Sequence, residues 1–166
     1  MLLWLRGLVF TLLVPVVVGF YVPSTFLAGR HLQPGAWQAG WVLVILGAAT
    51  YLVCLIQFLT AGGTPAIFFA RHLRFLIGEE PTAVVRQGIY RISRNPMYLG
   101  LVLSLCGWAR LLGSPIGLLL VWLFARLLVI VQITPEEAAL RERFGDAYLE
   151  YCLRVNRWLG RKSVRH

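Results

Sequence analysis

Apolar positions run almost unbroken through three stretches of the chain, and the polar positions gather between and after them. From Gly7 to Gly29 no charged residue occurs, and Trp37 to Leu59 is a second uncharged apolar run. Each is long enough for a bilayer, which takes about 20 apolar residues per helix. The third run, Met97 to Ile133, is interrupted by Arg110 and Arg126 and is too long for one crossing at about 1.5 Å per residue. Gly113-Ser114-Pro115 supplies a turn with Arg110 just ahead of it, so this run is expected to fold as a helical hairpin. The pattern therefore predicts an all-α integral membrane helical bundle with four transmembrane helices, at about 7–28, 37–59, 96–112 and 115–133. A loop, 60–95, and a tail, 134–166, complete a single membrane domain of residues 1–166. Gly62-Gly63-Thr64-Pro65 reads as the turn that closes the second span.

Composition agrees with this reading. The chain of 166 residues is 58% apolar and 14% charged, outside the range of soluble globular domains. Its charge is lopsided, with 16 Lys+Arg against 7 Asp+Glu and a formal net charge of +9. Loop 60–95 holds Arg71, Arg74, Arg86, Arg91 and Arg94, and the tail holds Arg141, Arg143, Arg154, Arg157, Arg161, Lys162 and Arg165. By the positive-inside rule both regions and both termini are cytoplasmic, and the expected location is the cell inner membrane. The same distribution accounts for the net charge without nucleic acid, since no basic run is interleaved with aromatics on a soluble module. A cleaved signal peptide fits poorly, because the first run exceeds a signal core and Phe26 stands where a small residue is expected before Ala28-Gly29.

Several chemistries are unsupported. His31, His72 and His166 are dispersed, so no metal site is expected. Cys54 and Cys106 fall in spans and Cys152 in the tail, without a C-x-x-C, so no disulfide is expected. A G-x-G-x-x-G fingerprint after a strand is missing, and Gly113 and Gly117 flank Pro115, which favours a turn over helix dimerisation.

Two cytoplasmic segments are dense in functional groups. In Gly88–Gly100, Asn95 is placed as an N-cap and Pro96 as the first helical residue, so a helix should start there. Interfacial anchoring by Arg and Tyr explains the segment; an anion site made by the helix start and Arg94 explains it as well. In Thr134–Tyr148, Thr134 and Glu137 have capping-box spacing with Pro135 at the first helical position. Leu140, Phe144, Tyr148 and Tyr151 recur at helical spacing and predict an apolar face lying on the membrane or over the middle loop. Glu136 and Glu137 could cap that helix or grip a cationic group. Arg126, inside the fourth span, is either a functional residue or a snorkelling one.

Taken together, the G-x-Y-R-x-x-R-N-P-M-Y-x-G stretch, the hairpin, and E-E-x-x-L-x-x-x-F-G-x-x-Y-x-x-Y resemble the integral membrane methyltransferases, the isoprenylcysteine carboxyl methyltransferase and phospholipid N-methyltransferase relatives, above all their small bacterial members. The likeness covers about residues 60–160. It implies an S-adenosylmethionine pocket at the cytoplasmic ends of the last two spans, capped by a C-terminal amphipathic helix. By position, Tyr90, Arg94, Asn95, Pro96, Tyr98 and Gly100 would line one side and Glu136 and Glu137 the other. The methionine carboxylate is expected near Arg94 and the helix start, the α-amino group near the two Glu, and Tyr98 against the sulfonium or adenine. Arg94 and Arg126 are the catalytic candidates. The implied acceptor is lipophilic, a membrane-partitioning carboxylate, amine or thiol.

Two departures from the relatives' pattern stand out. Asn95 replaces a His common among them, which removes any proton handling by that His. Asn156 stands where Pro is usual, which leaves the path of the tail open. Two other functions remain to be compared: an NADPH-dependent membrane reductase of the sterol type, and a small transport or assembly protein. The Glu pair favours the methyl donor over a nicotinamide, and unusual residues concentrated on one face argue against a transport path.

Overall fold

In the computed structural model, residues 37–61 and 84–160 are described, together with Tyr21. The helices are α1 Trp37–Thr60, α2 Pro96–Leu111, α3 Pro115–Leu128, α4 Thr134–Phe144 and α5 Asp146–Arg154. A short 3₁₀ turn, Gly88–Arg91, precedes α2, and a π-helical turn, Val129–Ile133, joins α3 to α4. Among the described residues there is no strand longer than the isolated extended Val155.

Two of the expected segments can be compared as helices: 37–59 falls on α1 and 96–112 on α2. The span expected at 7–28, the Gly62–Pro65 turn and most of the middle loop lie outside the described residues. At 24 residues α1 extends about 36 Å, whereas the 16 residues of α2 extend about 24 Å, short of a hydrocarbon core of about 30 Å. Among the described residues, two helices are long and apolar enough to cross a membrane, Gln38–Thr60 and Pro115–Phe144.

The fourth span differs from expectation. It does not stop at 133 but continues as one 30-residue helix, Pro115–Phe144, through the π turn. The predicted capping box at Thr134 and Glu137 therefore does not form: Ile133 and Thr134 are already helical, and no side chain caps α4. Pro135 lacks an N–H and crowds the preceding turn, which in a regular helix forces a break. Here the Thr134 N–H donates five residues back to the Val129 carbonyl, and the widened turn accommodates the proline.

Helices α1 and α2 form the central pair. Gly40 faces Gly107 and Gly47 faces Gly100, where an added Cβ would run into the partner backbone, so the two helices approach closely along a glycine seam. Trp41 and Trp108 meet edge to face at 5.8 Å beside that seam. Away from it α1 exposes Val42, Ile45, Leu46, Leu52, Val53 and Ile56, and α3 buries none of its residues. Such all-round apolar exposure suits hydrocarbon. The hairpin turn forms as expected: Gly113 takes φ +55°, and the Ser114 hydroxyl caps α3 by accepting from the Gly117 N–H at 3.0 Å.

Beyond α4 the chain is redirected at Gly145, with φ +50° and ψ −129°, a conformation open essentially to glycine. Helix α5 then buries Tyr148 and Tyr151 with Val155 against Val84, Leu140 and Phe144, so the apolar face read from the sequence packs on the described end of the middle loop at Val84. A Cβ at Gly145 would meet nothing within 4 Å, which leaves backbone strain as the whole effect of substitution. Gly145→Ala is expected to destabilise the protein by about 1–3 kcal/mol, measured as a lower denaturation midpoint. An unchanged midpoint would show that the α4–α5 junction adopts another conformation.

Candidate functional site

At one end of α2, the segment before it, the π turn, the start of α4 and the residues after α5 converge on a buried polar cluster. The residues after α5 act as a strap. The Arg94 N–H donates to the Asn156 carbonyl at 3.1 Å, the Gly160 N–H to the Ile92 carbonyl at 2.9 Å, and the Asn156 N–H to the Gly160 carbonyl at 3.0 Å. The last bond needs the amide hydrogen that a proline at 156 would lack, so Asn156 and the positive φ of Gly160 set the path of the tail in this chain.

Glu137 lies at the centre, buried, with two guanidiniums around it. Arg157, on the strap, donates from Nη2 to Oε2 at 2.6 Å and from Nε to Oε1 at 3.3 Å. Arg94 Nη1 lies 3.4 Å from Oε1 and donates also to the Cys152 Sγ at 2.7 Å. Asn95 stands at the N-cap position of α2, but its side chain makes no cap bond. Its amide instead donates to the Arg157 carbonyl at 3.2 Å and toward Glu137 Oε1 at 3.4 Å. Ser93 is buried beside it, accepting from the Asn95 N–H at 3.1 Å. The Glu137 hydrogen bond raises the Arg157 pKa above its ordinary value, so the pair stays ionised on the arginine side.

Glu136 occupies a separate environment one residue away. Tyr98 OH donates to its Oε2 at 2.6 Å, and the Gln132 amide donates to Tyr98 OH at 2.9 Å and to Oε2 at 3.3 Å. These are neutral donors, and they orient the carboxylate. Beneath the strap, Tyr151 OH donates to the Tyr90 carbonyl at 2.7 Å. Burial pushes the phenols of Tyr90, Tyr148 and Tyr151 well above their ordinary pKa, so they remain protonated donors at neutral pH.

The structure brings Arg94, Asn95, Tyr98, Glu136 and Glu137 together, as the sequence suggested. Other expected lining residues sit elsewhere. Tyr90 turns its ring to Phe58 of α1 at 5.5 Å, Pro96 opens α2, and Gly100 lies in the glycine seam against Gly47. Arg126 is exposed on α3, and its side chain makes no hydrogen bond or ion pair among the described residues. Three cluster members escaped the sequence reading: Gln132, Cys152 and Arg157. Gln132 had a usable signal, a lone amide within the apolar run 127–133; Arg157 had none, being one of several tail cations.

A family model described as phospholipid methyltransferase matches residues 36–147, more than half of the chain and the polar cluster apart from Cys152 and the strap. The chain is 31% identical over 140 residues to protein-S-isoprenylcysteine O-methyltransferase B of Arabidopsis thaliana, covering 78% of this chain and 65% of that protein. Protein-S-isoprenylcysteine O-methyltransferase A of the same plant is 31% identical over 137 residues, 76% of this chain and 64% of its own. The protein-S-isoprenylcysteine O-methyltransferase of Schizosaccharomyces pombe is 38% identical over 72 residues, 43% of this chain and 30% of its own. The chain thus spans somewhat less than two thirds of the plant relatives' length. No solved structure matches it. By the extent of the family match and the named relatives, the chain belongs to the membrane methyltransferase family of phospholipid and isoprenylcysteine methyltransferases.

Proposed function

We propose that the protein is an S-adenosylmethionine-dependent methyltransferase that acts on a lipophilic acceptor at the cytoplasmic face of the membrane, both termini lying on that side. The observation that carries this reading is the Glu136–Tyr98–Gln132 and Arg94–Glu137–Arg157 cluster, set at the end of an apolar helix pair. It offers a carboxylate and a guanidinium side by side, the complement of an amino acid's two charges. Arg94 Nε is buried without a partner among the described residues, which is a donor available to a ligand anion. The start of α2 adds backbone N–H groups that Asn95 leaves uncapped.

The residues therefore fit the cofactor. Glu136, Tyr98 and Gln132 would hold its ammonium end; Arg94 and the α2 start would hold its carboxylate. When bound, the sulfonium supplies a methyl group already activated for transfer. The chain's own part is alignment and exclusion of water, which needs neither a metal nor a covalent intermediate. In this reading the strap and the Tyr148–Tyr151 packing would close the cluster toward water, and the exposed apolar faces of α1 and α3 would meet lipid. The relatives' names support oxygen as the accepting atom and an isoprenylcysteine-like acid as the first acceptor to try. A carboxylate acceptor needs no general base, which suits a cluster whose Asn95 cannot take a proton.

Calorimetric titration of the detergent-purified protein with S-adenosylhomocysteine should give saturable binding, weakened about tenfold or more by Glu136→Gln with Tyr98→Phe. Absence of binding by a folded wild-type protein, or binding indifferent to that pair of changes, would remove the cofactor from this site.

A further inference from the structure

Arg157 is the charged cluster residue that the family match does not cover, because the strap follows the matched region. Its backbone is fixed: its carbonyl accepts from Asn95 Nδ2 at 3.2 Å and from Ser93 Oγ at 3.4 Å, and the strap on either side is tied to Ile92 and Arg94. Its head is less constrained. The side chain is 37% exposed, against 11% for Arg94 and 8% for Glu137, so it reaches from the rim down to the buried carboxylate. It meets Glu137 with Nε and Nη2, and Nη1 has no partner among the described residues.

Two guanidiniums share the one Glu137 carboxylate, while the Glu136 carboxylate is held by Tyr98 and Gln132. Within the same group Arg94 Nε is a buried donor with no acceptor. A burial of this kind is costly unless an anion completes it, and a planar fork favours an anion with two oxygens.

We propose that Arg157 is a ligand-binding residue, forming with Arg94 a two-armed cradle for a carboxylate at the membrane surface. Glu137 sets the spacing of the two arms; the strap supplies the outer one. The inference rests on the proposed function for its choice of ligands. A carboxylate can come from two sources there, the amino-acid end of the methyl donor or the acidic group of the acceptor, and both present the same chemistry to the cradle.

Pairs of ligands that differ in that group separate the cases. S-adenosylhomocysteine is compared with methylthioadenosine, which lacks the amino-acid end, and N-acetyl-S-farnesylcysteine with its carboxamide. Each is titrated against the full chain in detergent, as wild type, Arg157→Gln and Arg157→Lys. Arg157→Gln should weaken one acid by about tenfold or more while leaving its neutral counterpart unchanged, and Arg157→Lys should recover part of the loss. The adenosine pair responding assigns the carboxylate to the donor; the farnesyl pair responding assigns it to the acceptor. Equal effects on acid and neutral ligands, or no effect on either acid, overturn the proposal. Should Arg157→Gln not fold, the same acid-to-neutral comparison on Arg157→Lys decides, through a loss confined to the acid. Wild-type protein that binds the farnesyl acid through Arg157 but neither adenosine ligand would sink the methyl-donor reading and leave the cradle standing, whereas binding none of the four would remove both.

Discussion

Glu137→Ala should destabilise the protein by about 3–5 kcal/mol, the largest effect expected of any single side chain here. Removing this carboxylate leaves Arg94, 11% exposed, without its anion, and deprives Arg157 of its two bonds. A buried guanidinium without a counter-charge cannot shed its proton to escape the penalty, because arginine stays charged at any accessible pH. The partially exposed Arg157 can turn to water, so Arg157→Gln alone should cost less. In the double variant Glu137→Ala/Arg157→Gln the loss should fall short of the sum of the singles. Denaturant midpoints in detergent measure all three. A Glu137→Ala cost under about 1 kcal/mol would mean that the carboxylate is solvated rather than enclosed.

That expectation also divides the work of the two adjacent glutamates. Read from the sequence, Glu136 and Glu137 are equivalent, a pair of carboxylates awaiting a cation. In the fold they point into different surroundings: Glu137 balances chain arginines, and Glu136 is aimed by Tyr98 and Gln132. Helical geometry explains why, since neighbours in sequence are turned about 100° apart around the axis. The π turn immediately before them sets the phase. Without it, a regular helix from Pro115 would carry both side chains to other directions.

What was legible follows from which interactions are local. Apolar runs, Gly113-Ser114-Pro115 and Pro96 at a helix start depend on neighbours within a few residues, and α1, α2 and the hairpin turn appear where expected. The Arg94, Asn95, Tyr98, Glu136 and Glu137 group was accessible through two motifs whose separation matched a known family. Arg157 and Cys152 enter through contacts 58 to 20 residues distant in sequence, with no local pattern to mark them. The capping box misled for a related reason: Thr134 and Glu137 have the right spacing for a helix start, but helix α3 arrives from the bilayer with enough apolar length to continue through Pro135. Gly100 shows the opposite case. As part of a motif it looked like pocket lining, and its position is explained by a helix contact.

That contact makes the glycine seam the second sensitive feature. Gly47→Val should lower stability toward the upper end of about 1–3 kcal/mol and disturb ligand binding as well. A Cβ at Gly47 would run into the Gly100 carbonyl and Ser104, and one at Gly100 would lie 2.7 Å from the Gly47 carbonyl and 3.1 Å from the Tyr51 amide. These obstacles are mostly backbone, so α1 and α2 must move apart rather than repack side chains. Tyr98 sits on α2 about half a turn from the seam's end at Gly100, bonded to Glu136 of α4 at 2.6 Å. A shift of α2 by even about 1 Å would break that bond and release the Gln132 amide with it, and losses of this kind reach two orders of magnitude in rate. Gly117→Ala provides the control: its Cβ would approach the Ala109 and Ser114 Cβ atoms at 3.2 and 3.3 Å, contacts that a shift of a few tenths of an ångström relieves. Comparable thermal midpoints and S-adenosylhomocysteine affinity in Gly47→Val and Gly117→Ala would show that the two helices are not held by close backbone approach, and would detach the geometry of Tyr98 from the packing of α1 on α2.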